Sequence, residues 1–188
     1  MIQYVPKKER IVSIPQQKFR EIVFQLLYSH DIGQPDKAAM TSMLMKELSV
    51  TKKTMELAHQ RMDEVLAVRN EIDKLISNTS KSYDFQRIHV VERNILRLGT
   101  FEIYYDELIP PKVAIAEAMR LARKFGTAEA ANFVNAILDA LYKLQKGESV
   151  DDSQVGKAYG DMINSEKIAS QAMKDIPKES PDAEWSPL

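Results

Sequence analysis

Cysteine and histidine, which often catalyse reactions or bind metals, are absent or sparse in this sequence. The 188 residues include no cysteine, which excludes disulfides, thiolate nucleophiles and sulfur-ligated metals. His30, His59 and His89 are about thirty residues apart, on different predicted helices, without the spacing of a metal site. There is no glycine-rich phosphate loop. We therefore expect no enzyme, no cofactor and no metal site; an acid–base pair assembled from distant helices is an alternative that no motif supports.

Basic residues, by contrast, gather near the ends of predicted helices, together with aromatic and amide side chains. Single-stranded RNA requires this combination, because its phosphates attract cations and its unpaired bases need planes to stack on and edges to hydrogen-bond. The pattern alone favours the alternative, in which Glu117 pairs with Arg120 and Lys124 on a solvated helix face and Phe133 fills the core. The candidate RNA-binding residues are Lys18, Arg20, Arg120, Arg123, Lys124, Asn132 and Phe133.

Apolar residues recur at helical spacing along most of the chain, and no segment alternates with period two. We therefore expect an all-α fold. Asp36 and Thr127 are suited to cap the helices that follow them, and Gly126 is suited to end a helix in a left-handed conformation. The predicted helices cover residues 16–31, 37–48, 51–77, 85–106 and 110–126, and a sixth follows Thr127.

The sequence divides into three regions. Residues 1–15 form a basic lead that we expect to be flexible, and residues 16–146 form a compact helical domain. Residues 147–188 are polar and acidic, and only 155–173 have a weak helical pattern, so we expect a largely mobile tail with transient helix.

Charge is distributed unevenly between the two ends. Residues 1–30 hold five Lys or Arg against two acidic residues, whereas residues 147–188 hold four against nine. This distribution indicates a body that binds polyanions and a tail that repels them, although ordinary solubilising charge would look the same. No apolar run approaches the roughly 18 residues of a membrane span, and the first residues lack the apolar centre of a signal peptide, so we expect a cytoplasmic protein.

Three segments occur in an order and at intervals typical of one protein family. They are FREIVFQLLYSHD, VERNILRLGTFEIYYDELIPPKVAIAEAMRLARKFG and NFVNAILD. Together they resemble the NusB family of bacterial transcription antitermination factors over about residues 18–141. The resemblance implies an all-helical fold of two small packed bundles, and a function without catalysis.

The resemblance also implies partners. Members of the family bind the boxA segment of nascent RNA together with NusE, a small-subunit ribosomal protein, in the transcription elongation complex. By position, the resemblance implies RNA contact for Lys18, Arg20 and Phe133, the last as a partly exposed ring. It implies contact with NusE for Tyr28 and Glu92.

Two features depart from the family pattern. Gln16 and Gln17 stand where well-studied members have consecutive arginines, and basic residues occur instead at positions 7, 8 and 10. Fewer phosphate contacts mean weaker RNA binding or stronger dependence on a partner. The acidic tail is the second departure. The alternative function is therefore a protein-binding helical scaffold that does not contact RNA.

Overall fold

Helices account for nearly all of the regular structure. A computed structural model describes residues 14–33 and 36–174; residues 1–13, 34–35 and 175–188, which include most of the expected lead and the end of the expected tail, lie outside this description. Within the described ranges no strand occurs, so the all-α prediction is confirmed there. The helices are α1 (Gln16–Asp31), α2 (Lys37–Leu48), α3 (Lys52–Ala67), α4 (Arg69–Asn78), α5 (Val90–Tyr105), α6 (Pro111–Phe125), α7 (Ala128–Gln145) and α8 (Asp152–Lys174), and a 3-10 turn covers Phe85–Arg87.

The helices form two small bundles that meet at α5. Helix α5 packs against α1, α3 and α4 on one side and against α6 and α7 on the other, while α8 packs against α7. The buried apolar side chains form one core that extends through both bundles. In the part of the chain that the structure describes, no helix combines the length and the apolar composition needed to cross a membrane.

Several helix ends form where local chemistry predicts them. The Asp36 side chain accepts a hydrogen bond from the backbone N–H of Ala39 at 2.9 Å and caps α2. The Thr127 hydroxyl oxygen accepts from the N–H of Ala130 at 3.0 Å and caps α7. Pro111 starts α6, where its missing N–H leaves no donor unpaired. The two predicted caps, at Asp36 and Thr127, are confirmed.

Two predicted helices are interrupted. The helix predicted over 51–77 breaks at Val68, whose φ of −110° and ψ of 14° are not helical. Val68 and Ile72 are both buried, so this turn keeps the apolar residues of α3 and α4 facing the core. The helix predicted over 85–106 is divided because Ile88 and His89 adopt extended backbone conformations. This places the Ile88 side chain in the core before α5 begins.

Gly126 ends α6, but not in the predicted left-handed conformation. Its φ is −133° and its ψ is −134°, so that prediction is wrong. A Cβ atom at this position would lie 3.0 Å from the Ala122 carbonyl oxygen and 3.0 Å from Glu92 Oε1. Glycine is therefore suited to this position because the chain passes close to its neighbours.

Charged residues on α5 are buried and paired with residues of neighbouring helices. The Arg97 guanidinium donates to both carboxylate oxygens of Asp73, at 2.7 and 2.8 Å, and to Asp31 Oδ2 at 3.1 Å. Asp31 Oδ2 also accepts from Arg93 at 2.9 Å and from Asn94 at 3.1 Å. Burial by itself raises the pKa of the Asp31 carboxyl, but Arg93 and Arg97 outweigh it and hold the pKa below its usual range. Asp31 therefore attaches the end of α1 to α5.

Helix α8 differs from the expected transient helix. Val155 and Met162 are buried against the rest of the protein. They share a face with Ala158, Tyr159 and Ile163, which are partly buried. These positions have the spacing of an amphipathic helix, so α8 can pack against α7 although most of its other residues are polar.

Phe133 lies in the contact between α7 and α8. Its side chain is 0% exposed, so the prediction of a partly exposed ring is wrong. The Phe133 ring packs against Tyr83 at 5.6 Å and against Tyr159 of α8 at 5.5 Å between ring centroids. The apolar face of α8 completes this aromatic cluster, and the weak helical pattern of its sequence did not indicate that it packs here.

Asp31→Asn tests the attachment of α1 to α5, because it removes a charge that Arg93 and Arg97 share. Since Arg97 is buried, we expect the free energy of unfolding at pH 7, measured by urea denaturation, to fall by about 1–3 kcal/mol. Asp139→Asn is the control, because Asp139 pairs with Lys143 on the exposed surface and the substitution should change stability much less. Equal effects of the two substitutions would contradict the assignment.

The difference in stability between wild type and Asp31→Asn should depend on pH in a predictable way. The pKa of Asp31 is lowered in the folded protein from an ordinary value of 3.8. Its stabilising contribution is therefore complete above the unfolded pKa and is lost as the pH falls through the folded pKa. We expect the stability difference between wild type and Asp31→Asn to be constant from about pH 5 to 7 and to shrink below about pH 4. A difference that grows on acidification would have the wrong sign.

Phe133→Ala tests whether this ring belongs to the core. Because the side chain is fully buried, we expect a loss of about 3–5 kcal/mol in the free energy of unfolding, measured by urea denaturation. Asn132→Ala is the matched control, since Asn132 is the exposed neighbour on the same helix and should change stability by no more than about 0.5 kcal/mol. A Phe133→Ala protein as stable as wild type would exclude the core position.

Candidate nucleic-acid interface

Helices α1 and α6 carry all five predicted RNA-binding cations, and Glu21 links the two helices. Its carboxylate accepts from Arg120 Nη1 at 2.5 Å and from Lys124 Nζ at 2.7 Å. Burial by itself raises the pKa of Glu21, but the hydrogen bonds from Lys124 and Arg120 outweigh it and lower the pKa. Glu21 is therefore ionised at neutral pH and offsets part of the positive charge of both side chains.

Arg120 is engaged further by its own helix. Its Nε donates to Glu117 Oε2 at 2.9 Å, which confirms the local partner that the sequence suggested. Its Nη2 donates to the backbone carbonyl of Gln17 at 3.1 Å. Arg120 thus has three partners on two helices, and it would have to give up some of them to bind a phosphate.

Arg20 lies in the core. Only 6% of the residue is exposed, and its Nε donates to the two carboxylate oxygens of Glu102 at 2.8 and 3.1 Å. Arg20 follows Phe19 and lies on a helix that is buried on two sides, so its side chain faces α5. The sequence had suggested that this side chain is a free cation. In this conformation its guanidinium connects α1 to α5 and does not reach the surface.

Fewer of the predicted RNA-binding residues are exposed than the sequence suggested. Lys18 is partly exposed, and Arg123, Lys124 and Asn132 are exposed. Among the described residues, neither Lys18 nor Arg123 has an ion-pair partner. Arg123 and Lys124 occupy the last turn of α6, where positive charge also favours the helix itself. Lys18, Arg123 and Asn132 can meet a polyanion without breaking an ion pair, whereas Lys124 would first have to leave Glu21.

The two predicted NusE contacts lie in different environments. Tyr28 on α1 is partly buried, with its ring centroid 6.2 Å from that of Phe24. Glu92, in the first turn of α5, is only 5% exposed. Burial raises the pKa of Glu92, and the charge of Glu166 on α8 adds to that increase. A carboxylate oxygen of Glu166 lies within 4.8 Å of one of Glu92, so α8 lies beside Glu92 as well as over Phe133.

The sequence did not indicate the pairing residues whose partners are distant along the chain. Glu117 is three residues from Arg120, so its role could be predicted from helical spacing. Glu21 is 99 residues from Arg120, and Glu102 is 82 residues from Arg20. Glu21 and Glu102 each lie next to buried residues of their own helix. This position is the only sign in the local sequence that the two carboxylates need a partner.

Comparison with known proteins identifies the same region of the chain. The sequence model of the NusB family matches residues 17–143. Transcription antitermination protein NusB of Chlamydia pneumoniae is 37% identical over 128 residues, which is 68% of this chain and 80% of that protein. The protein of the same name from Wolinella succinogenes is 40% identical over 129 residues, which is 68% of this chain and 95% of that protein.

Solved structures agree in fold. T. maritima NusB superposes with a TM-score of 0.60 at 30% identity, covering 76% of this chain and 98% of that one. The structure of antitermination factors NusB and NusE in complex with double-stranded RNA contains a chain with a TM-score of 0.58 at 27% identity, covering 69% of this chain and 96% of that one. Because the family match extends from α1 into α7, this chain belongs to the NusB family.

Proposed function

We propose that this protein binds boxA-type single-stranded RNA together with ribosomal protein NusE and thereby supports transcription of ribosomal RNA. The observation that carries this proposal is the match over residues 17–143 to the NusB family, whose curated relatives are named transcription antitermination proteins. As a family member, the chain is a non-enzymatic antitermination factor. A cytoplasmic location, where bacterial transcription takes place, follows from this proposal.

A structural neighbour supports the choice of partners. That neighbour is a NusB in a complex with NusE and double-stranded RNA. The exposed cations of this chain can bind the phosphates of either form, whereas Asn132 can hydrogen-bond a base edge that only an unpaired strand presents freely. We propose single-stranded RNA as the ligand. A duplex of the same sequence is the control ligand in the binding assay.

The charge of the α1–α6 surface suggests how strongly RNA is bound. Of the five predicted RNA-binding cations, Lys18 and Arg123 have no ion-pair partner among the described residues, while Arg120 and Lys124 share Glu21. Because each phosphate contact adds to affinity through counterion release, two free cations among these five contribute little affinity by themselves. NusE would then supply the remaining affinity.

The double substitution Lys18→Ala/Arg123→Ala tests this surface. We expect weaker binding of a labelled boxA-like RNA in fluorescence anisotropy, and a slope of log affinity against log salt that flattens by about 0.7 for each phosphate that is no longer neutralised. Lys52→Ala is the control, because Lys52 is an exposed cation on α3. Equal effects of the double variant and the control would remove Lys18 and Arg123 from the RNA site.

The same assay separates the two candidate functions when it is run with and without NusE. The burial of Arg20 and Phe133 favours the second candidate, a protein-binding scaffold without RNA contact. That candidate predicts NusE binding that neither RNA nor salt changes appreciably. Absence of RNA binding at low salt, in the presence as well as the absence of NusE, would exclude RNA recognition.

Helix α8 introduces a competition within the proposed function. It packs over Phe133 and Glu92, to which the family resemblance assigns RNA and NusE contacts. If those residues contact partners, α8 has to leave its position first. We propose that docked α8 lowers the affinity for NusE and RNA.

Met162→Asp tests this competition by placing a charge at a fully buried position of α8. We expect tighter binding of NusE and RNA, measured by calorimetry and anisotropy, with the helical circular dichroism signal of the main domain retained. Ile168→Asp is the control on the same helix, since Ile168 is 71% exposed. Affinities that do not change in Met162→Asp would mean that the partners bind while α8 is docked.

A further inference from the structure

Three potential metal ligands meet where α8 crosses the start of α5. They are His89, which directly precedes α5, Glu92 in its first turn and Glu166 on α8. One nitrogen or oxygen atom from each side chain lies within 4.8 Å of the other two. His89 Nε2 and Glu166 Oε2 are 3.2 Å apart. Sequence spacing did not indicate this group, because Glu166 is distant from the other two residues.

Glu92 supplies an independent observation. It is 5% exposed, and its Oε2 has no hydrogen-bond partner. A buried carboxylate oxygen is normally hydrogen-bonded, because removal from water without a partner is costly. The charge of the neighbouring Glu166 adds to this cost, whereas a divalent cation between the two carboxylates would offset both charges.

The donor set indicates the class of metal. One imidazole nitrogen and two carboxylates match the three-ligand sites of Zn²⁺, which leave a fourth position to water. Mg²⁺ and Ca²⁺ are hard cations that prefer oxygen ligands throughout, so the imidazole nitrogen of His89 favours a transition metal over either of them. We propose that His89, Glu92 and Glu166 bind a Zn²⁺-like divalent transition metal that joins α8 to the start of α5.

Small movements are sufficient to form the site. Tetrahedral Zn²⁺ with bonds of about 2.0–2.2 Å holds its ligand atoms about 3.4 Å apart. The distance between His89 Nε2 and Glu166 Oε2 is already close to that separation. The His89 side chain is 58% exposed and that of Glu166 is 22% exposed, so both can move towards the buried oxygen of Glu92.

A simple ion pair between His89 and Glu166 is the competing explanation, and it makes a different prediction. An ion pair stabilises the protein without added metal and does not respond to Zn²⁺. A metal site raises the melting temperature as Zn²⁺ is added, because the metal binds the folded state in preference to the unfolded state.

The experiment is a Zn²⁺ titration of the full-length chain after treatment with a chelator, followed by calorimetry and by thermal unfolding. We expect binding of one Zn²⁺ per chain and a rise in melting temperature, both absent in His89→Ala and in Glu166→Gln. Mg²⁺ at the same concentrations should have neither effect. Circular dichroism of each variant establishes that its fold is retained, and Glu166→Gln serves if His89→Ala does not fold.

His30→Ala and Glu107→Gln are matched controls, because both residues are exposed and belong to other parts of the chain. Both should retain the Zn²⁺ response. The proposal is overturned if wild type shows no response to Zn²⁺. It is also overturned if the response persists in Glu166→Gln, or if His30→Ala abolishes it. None of these measurements depends on RNA or NusE, so the metal site and the proposed function are tested separately.

Discussion

The burial of charged side chains on helix α5 is the constraint on which the rest of the fold depends, because other helices have to supply their partners. These side chains have left water, and an uncompensated buried charge costs several kcal/mol in typical proteins. Arg97 therefore requires Asp31 and Asp73, and Glu102 requires Arg20. Since Arg20 lies near the start of α1 and Asp31 at its end, these pairs fix α1 against α5 at both ends. The attachment of α1 and α4 to α5 is thus set by charge as well as by apolar packing.

This use of charge limits what the surface can do. Arg20 is committed to α5, and Arg120 and Lys124 share Glu21, which also joins α1 to α6. Cations that hold helices together are poor ligands for phosphate, because RNA binding would have to break the existing pairs. Among the five predicted RNA-binding cations, only Lys18 and Arg123 are therefore free of ion pairs in the described residues. This explains in physical terms why RNA binding would depend on a protein partner. The partner has to contribute the affinity that cations already paired within the fold do not provide.

The sequence predicted what depends on near neighbours and missed what depends on distant ones. Asp36 and Thr127 cap helices through amides three residues away, so their roles could be predicted without a fold. The family resemblance predicted the two helical bundles and covered most of the compact domain. The environment of Phe133 depends on Tyr159, and that of Gly126 depends on Glu92. Neither contact leaves a periodic signal, because each joins helices whose packing the sequence alone does not specify.

Helix α8 lies beyond the matched residues 17–143, and it changes the surface of the family domain that it covers. A Phe133 ring that is 0% exposed cannot stack on a base, so RNA contact through this residue requires α8 to undock. Undocking exposes Val155 and Met162, at a cost of about 3–6 kcal/mol for two fully buried apolar side chains. A ligand can shift such an equilibrium only by its difference in affinity for the two states. A partner that opens α8 therefore has to bind the undocked state with enough additional affinity to offset this cost.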